Sequence, residues 1–196
     1  MAKRGLMVKL KSSAGRVDPA SQDVPLFRDI APKHCRRRTM IVAVIGEGGI
    51  AYDGCRELLM RLGHVVVDEI AGSDVAVAPL LQTKISAQAA ATPRHGTLIF
   101  HPSPLPYGRG RNAIKAAYKK GDAISAATWF WASDGLDEGD ICEQEIIRID
   151  YSLRPRDFYA SRILPAMFRT LERAVAGISA GVARRVPQMQ EHATYD

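Results

Sequence analysis

One histidine and one aspartate in this sequence have the types and positions that proton-transfer chemistry needs. His101 follows the apolar run 97–100, and Asp137 lies 36 residues later in the acidic loop 133–140. Imidazole exchanges protons near neutral pH, and a neighbouring carboxylate orients the ring and stabilises its protonated form. Because open α/β sheets bind ligands at the carboxyl ends of their strands, we expect both side chains to face one crevice. A surface histidine beside a solvated acidic loop is an equally good interpretation of the spacing alone.

A glycine-rich turn is a second candidate site. Gly46, Gly48 and Ala51 form a GxGxxA pattern after an apolar strand, and Asp68 and Glu69 follow the next strand. In the dinucleotide-binding fingerprint, such a turn presents backbone N–H groups and a helix N-terminus to a pyrophosphate. A tight strand-to-helix turn that merely needs small residues is the structural alternative.

Apolar β-branched runs alternate with helical patterns from Thr39 onward. The predicted strands cover residues 40–45, 65–67, 74–81, 97–100, 124–131 and 141–149. The predicted helices cover residues 54–62, 86–92, 112–120 and 155–181, and Pro165 should kink or divide the last of them. This alternation predicts an α/β fold with a mostly parallel central sheet flanked by helices.

Composition narrows the class of protein. The chain has 196 residues, 46% hydrophobic and 24% charged, as is usual for a globular protein. It contains no apolar run of about 20 residues and no secretory signal pattern, which predicts a soluble cytoplasmic protein with no membrane segment. Cys35, Cys55 and Cys142 lack the spacing of a zinc site or a disulfide scaffold, so we expect no metal.

The positive charge is confined to one end of the sequence. Residues 1–38 hold ten Lys and Arg against three Asp and Glu, whereas residues 39–196 hold 17 against 18. We therefore predict a basic N-terminal arm or extension, 1–38, followed by one catalytic domain, 39–196. A neutral domain argues against nucleic acid as a partner, since such proteins carry a basic face on their folded body.

Two segments resemble the signature of the 10-formyltetrahydrofolate-dependent formyltransferases. Residues 97–110, TLIFHPSPLPYGRG, are similar to the family pattern Asn-x-His-Pro-Ser-x-Leu-Pro with Arg-Gly shortly after. Residues 131–139, WASDGLDEG, look like its second motif, whose aspartate is catalytic, and the separation of the two motifs agrees. Further likeness to the hydrolase domains of 10-formyltetrahydrofolate dehydrogenases lies at residues 93–96, 186–188 and 193–196. The resemblance implies a Rossmann-like formyltransferase fold.

The resemblance also implies roles for individual residues. His101 would be the general acid and base, Asp137 its partner in moving protons, and Ile99 a wall of the reacting centre. The segment that cradles the pterin would be Leu81, Gln82, Thr83, Lys84 and Ile85. The folate-binding loop would be Ser133, Asp134, Gly135 and Leu136.

Some of these positions have structural interpretations as well. Leu81 and Ile85 suit core packing as much as pterin contact, and Lys84 suits an exposed surface. Arg109 and the glycine after it are expected to shape their loop. Trp129 and Trp131 share one face of a strand and should form core or crevice wall, and Cys142 should be inert core.

The sequence departs from the family pattern in two places. Ile99 replaces the asparagine whose amide helps to polarise the formyl carbonyl, although the dehydrogenase hydrolase domains also have isoleucine there. Losing one such donor typically costs about 100–1,000-fold in rate, which predicts weak activity. In addition, only residues 68–73 separate the second and third strands, where the family has another strand–helix unit. The sheet is therefore predicted to be trimmed by one unit, unless residues 1–38 supply it.

The leading hypothesis is an enzyme that removes the formyl group from 10-formyltetrahydrofolate and passes it to a small amine or to water. One alternative is a folate-binding module with little catalysis. Another is a dinucleotide-binding protein that uses the turn at Gly46. The leading hypothesis predicts that His101 and Asp137 face one crevice with Ile99 at its base.

Overall fold

Six strands form one β-sheet in the part of the chain that the structure describes. The computed structural model describes residues 38–81 and 84–196. Its strands are β1 (Ile41–Gly46), β2 (Val65–Val67), β3 (Val75–Leu80), β4 (Thr97–His101), β5 (Ile124–Trp131) and β6 (Ile141–Arg148). They lie in the order β2-β1-β3-β4-β5-β6. The first four strands are parallel, and β5 and β6 continue the sheet as antiparallel neighbours. The predicted α/β fold with a mostly parallel sheet is confirmed.

Helices connect and cover the strands. They are α1 (Ile50–Arg61), α2 (Ala87–Ala91), α3 (Ala113–Lys120), α4 (Pro155–Phe158) and α5 (Leu164–Ser179). The prediction placed the start of α1 at residue 54, but the helix begins at Ile50, after Gly49 at a φ of 131°. Gly54 instead allows close packing of two helices, because a Cβ atom there would lie 2.3 Å from the ring of Phe168 on α5.

The last long helix is divided near Pro165, as predicted. α4 passes through a π-helical turn, Tyr159–Ile163, into α5, whose first turn contains the proline. Proline has no N–H group, and its ring clashes with the carbonyl four residues earlier in a regular helix. The wider π-helical turn just before Pro165 accommodates both effects without ending the helix.

Strand register decides which side chains face the core. On β4, Leu98 and Phe100 pair with Trp131 and Trp129 of β5, and all four are buried in the core that α1 and α5 complete. The two tryptophans are therefore core rather than crevice wall. Because successive side chains alternate between faces, Ile99 and His101 point to the other side of the sheet.

The connection between β2 and β3 is as short as the sequence suggests. Residues 68–74 lead directly from one strand to the other, and β2 is the last strand on its side of the sheet in the part of the chain that the structure describes. The predicted arm, 1–38, lies outside the described residues except for its last position. Its role, and the predicted boundary at residue 39, remain predictions.

Two cysteines lie in the core. Cys55 on α1 and Cys142 on β6 are free thiols, and burial raises the pKa of each to about 12. The prediction that Cys142 lies in the core is confirmed, and its raised pKa disfavours the reactive thiolate. Among residues 38–81 and 84–196, every helix is too short or too polar to cross a bilayer.

Candidate active site

His101 is the last residue of β4 and is almost fully buried. Its Nε2 atom lies 2.7 Å from the carbonyl oxygen of Gly108. A carbonyl oxygen can only accept, so Nε2 must carry a proton. In the neutral ring Nδ1 then carries the lone pair. The backbone therefore orients His101 so that Nδ1 is the nitrogen able to accept a proton.

Asp137 lies on the loop between β5 and β6. Its Oδ2 atom is 3.7 Å from Nδ1 of His101 and accepts a hydrogen bond of 2.9 Å from the backbone N–H of Gly110. The distance to the imidazole is within ion-pair range but beyond hydrogen-bond range. Asp137 has a φ of 54°, in the left-handed region that non-glycine residues rarely adopt. The loop thus holds this carboxylate in a conformation that its own backbone does not favour.

The histidine and aspartate open onto one crevice of about 760 Å³. Ile99 lies in the same lining, two residues before His101 on the same face of β4. The structure therefore brings these three residues together in one lining, and their roles in catalysis stay predictions. A volume of this size suits a small organic molecule.

Most residues predicted to bind folate line this crevice. They are Leu81, Lys84, Ile85, Ser133, Gly135 and Leu136. Leu81 and Ile85 are half-buried and do not belong to the core cluster, so the core-packing interpretation is wrong for both. Asp134 lines a different cavity, and its carbonyl accepts a hydrogen bond of 2.7 Å from the exposed Lys84. Gln82 and Thr83 lie outside the described residues.

The glycine-rich turn after β1 contributes nothing to the crevice lining. A Cβ atom at Gly46 would lie 2.2 Å from the carbonyl oxygen of Leu80, and the residue has a φ of 118°. Close approach of β3 and a left-handed backbone therefore explain this glycine structurally.

Comparison with known proteins identifies the family of this chain. The profile of the formyl transferase family matches residues 65–166, which are 102 of the 196 residues. The chain belongs to the formyl transferase family. The matched region carries both His101 and Asp137.

Curated relatives of this formyl transferase chain are much longer proteins. It is 35% identical over 125 residues to the human cytosolic 10-formyltetrahydrofolate dehydrogenase, covering 64% of the chain and 14% of that protein. It is 37% identical over 103 residues to the methionyl-tRNA formyltransferase of Caulobacter sp. (strain K31), covering 53% of the chain and 33% of that protein. The chain thus spans a minor part of the length of each.

Solved structures show the same fold. HypX from Aquifex aeolicus, crystallised with tetrahydrofolic acid, superposes with a TM-score of 0.72 at 22% identity, covering 81% of this chain and 30% of that one. The formyltransferase PseJ from Anoxybacillus kamchatkensis gives a TM-score of 0.68 at 17% identity, covering 80% and 85% of the two chains. The Rossmann-like formyltransferase fold is therefore confirmed.

Several crevice residues of the formyl transferase chain were not predicted. They are Phe130, Arg111, Asn112, Lys115 and Tyr159. Arg111 lies just before α3 and Lys115 lies in its first turn, directly after the first motif, and these two nearby cations were an available signal. Tyr159 comes from the π-helical turn, for which the sequence around it offers no local pattern.

Arg109 of the formyl transferase chain is fully buried and shapes its loop, as predicted. Its Nη2 atom donates to the side-chain carbonyls of Gln188 at 2.8 Å and Gln190 at 2.9 Å. Its Nη1 atom donates to the Tyr195 hydroxyl at 3.0 Å and lies 3.4 Å from a carboxylate oxygen of Glu138. The guanidinium therefore joins the loop after β4, the loop between β5 and β6, and the C-terminal tail, residues 182–196.

Replacing Arg109 with methionine should lower the free energy of unfolding by about 3 kcal/mol, because buried hydrogen-bonding partners lose their charged donor. Urea denaturation measures this loss. As a control, the exposed Arg148→Met should change it by less than about 0.5 kcal/mol. If the two variants unfold at the same urea concentration, the buried network does not stabilise the fold.

Proposed function

We propose that this chain removes the formyl group from 10-formyltetrahydrofolate and passes it to a small amine or to water. The observation that carries the proposal is the oriented imidazole of His101, with Nε2 held by a backbone carbonyl and Nδ1 facing Asp137 in one crevice. Such a pair suits acyl transfer, in which a proton leaves the nucleophile and another reaches the leaving group.

The proton steps follow from this orientation. Nδ1 of His101 takes a proton from the attacking amine or water as the new bond to the formyl carbon forms. The imidazolium is then stabilised by the carboxylate of Asp137. When the tetrahedral intermediate collapses, His101 returns the proton to N10 of the folate, and the C–N bond breaks. The products are tetrahydrofolate and either a formamide or formate.

The crevice has the character that a folate requires. One wall is apolar, built from Leu81, Ile85 and Leu136, which suits a flat pterin ring. Lys84 and Arg111 contribute positive charge to the lining, which suits the glutamate carboxylates of a folate. A 10-formylated folate can therefore place its ring against the apolar wall and its charged end near the cations.

The names of relatives support the donor more than the acceptor. A relative 35% identical to this chain is a 10-formyltetrahydrofolate dehydrogenase, and another 37% identical is a methionyl-tRNA formyltransferase. The resemblance of the motif around Ile99 to the hydrolase domains of 10-formyltetrahydrofolate dehydrogenases favours water as one acceptor. We propose the cytoplasm as the compartment, in keeping with the cytosolic relative.

The proposal is tested by following tetrahydrofolate release from 10-formyltetrahydrofolate, first in buffer and then with candidate amines such as glycinamide ribonucleotide and amino sugars. Release in buffer alone would establish a hydrolase, and release only with an amine a transferase. Parallel titrations with a folate analogue and with NADH measure binding. Folate binding without turnover under any condition would overturn the enzyme and leave the folate-binding module, and tighter binding of NADH would point to a dinucleotide.

A further inference from the structure

Two polar side chains of the C-terminal tail, residues 182–196, contact the loops beside His101 and Asp137. We infer that Gln188 and Thr194 are positioning residues for Asp137 and His101, so that one short segment sets both partners of the proton-transfer pair. The inference rests on the proposed function for its effect on rate. Its geometric basis lies in the backbone groups that each side chain holds.

Gln188 hydrogen-bonds the loop between β5 and β6 on both sides of Glu138. It is buried, and its amide nitrogen donates to the carbonyl of Asp137 at 2.8 Å and to the carbonyl of Gly139 at 2.7 Å. Its amide oxygen accepts from Arg109 at 2.8 Å, which fixes which end of the amide faces the loop. Both N–H donors of Gln188 are thus committed to the loop that carries the aspartate.

The conformation of Asp137 shows why such a hold matters. A residue with a Cβ atom is strained at the φ of 54° that Asp137 adopts, and it keeps this conformation only where surrounding contacts impose it. Two hydrogen bonds from one buried amide are such contacts. Without them, the loop is free to relax, and the carboxylate moves with it.

Thr194 hydrogen-bonds the backbone next to the Gly108 carbonyl, which accepts from the His101 ring. Its hydroxyl accepts from the N–H of Gly108 at 2.8 Å, and its carbonyl accepts from the N–H of Arg109 at 2.9 Å. The Arg109 N–H and the Gly108 carbonyl belong to one planar peptide group. That group therefore lies between Thr194 on one side and Nε2 of His101 on the other.

The loop after β4 also contacts the Asp137 carboxylate, since the N–H of Gly110 donates to Oδ2 of Asp137. A shift of the loop would therefore change the proton position on His101 and the separation of the pair at once. Misplacement of a catalytic group by about 1 Å can cost about 100-fold in rate. Positioning by the tail predicts a loss in kcat, whereas a purely structural tail predicts a loss in stability alone.

Gln188→Met removes both donors at nearly constant volume, and we expect kcat to fall by about 10–100-fold with KM for the folate changed by less than about threefold. The matched control is Gln190→Met, which also loses a contact with Arg109 but touches neither loop carbonyl. Its kcat should stay within about twofold of wild type. If Gln188→Met retains wild-type kcat while folded, the inference is overturned.

Thr194→Val and Thr194→Ser provide a second test that does not depend on the folding of the glutamine variant. Valine removes the acceptor for Gly108 and should lower kcat by about tenfold, whereas serine keeps it and should restore kcat to within about twofold of wild type. Equal kcat values for valine and wild type would contradict positioning by Thr194.

Nitrogen-15 NMR of the His101 ring separates this inference from the proposed function, because it needs no turnover. The wild-type ring should show the Nε2–H tautomer, and Thr194→Val should shift the ring towards a mixture of tautomers. An absence of turnover in wild type would overturn the proposed function and leave this readout in force. Identical ring signals in folded wild type and Thr194→Val would overturn the positioning.

Discussion

Replacing His101 with alanine should lower the rate of tetrahydrofolate release by about 10²–10⁴-fold, the usual contribution of a positioned general acid and base. The side chain is almost fully buried, and its ring is fixed between the Gly108 carbonyl and Asp137. No other imidazole lies in the lining of the crevice as the structure describes it. The loss should therefore appear in kcat, with folate binding retained.

A second histidine provides the matched control. His95 lies in the turn before β4, at the other end of the same strand, and it lines a different cavity. His95→Ala should leave kcat within about twofold of wild type. A similar loss in both variants, at unchanged folate affinity, would show that the chemistry does not depend on His101.

Asp137→Asn separates the charge of the carboxylate from its shape. The asparagine oxygen can still accept from Gly110, so the loop keeps its contact, but the imidazolium loses its counter-charge. We expect kcat to fall by about 10²-fold. Because groups that act as a unit have non-additive effects, the double variant with His101→Ala should be no slower than His101→Ala alone. Additive losses would place the two residues in separate steps.

The parts of this fold that could be predicted are those that local patterns encode. The apolar run at residues 40–45, rich in Ile and Val, predicts a buried strand, and period-two alternation places Ile99 and His101 on one face. Which face that is depends on the pairing of β4 with β5. That register buries Trp129 and Trp131 with the core and leaves Phe130 to the crevice.

The C-terminal tail shows what local patterns do not encode. Residues 182–196 are polar and show no helical or strand period. Gln188 is nevertheless buried, because its partners are backbone carbonyls and the guanidinium of Arg109, 79 residues earlier in the chain. A contact of this kind depends on loop geometry. The hydrophobic pattern of the sequence does not predict the burial of Gln188. Only the similarity of residues 186–188 to other proteins singles out this position.

At Ile99 we expect a substitution to raise kcat, in contrast to the loss of kcat expected at His101. Replacing Ile99 with asparagine should raise kcat by about 10–100-fold, because an amide placed where negative charge develops stabilises the transition state. Ile99 lines the crevice and is only half-buried. It precedes His101 by two residues on the same face, or about 6.6 Å along the strand. An amide at this position would therefore point into the crevice, where the proposed function places the formyl oxygen of a bound donor.

The gain should come at a cost in stability. Ile99 packs between neighbouring strands, opposite Ala78 of β3 and Phe130 of β5, so an amide there should lower the free energy of unfolding by about 1–3 kcal/mol. Ile99→Leu is the control, since it changes the shape of the side chain without adding a donor. Rates from single-turnover experiments and unfolding curves for both variants measure the two effects. If folded Ile99→Asn is no faster than Ile99→Leu, the formyl oxygen does not lie at this position, and the weak activity predicted from the sequence must have another origin.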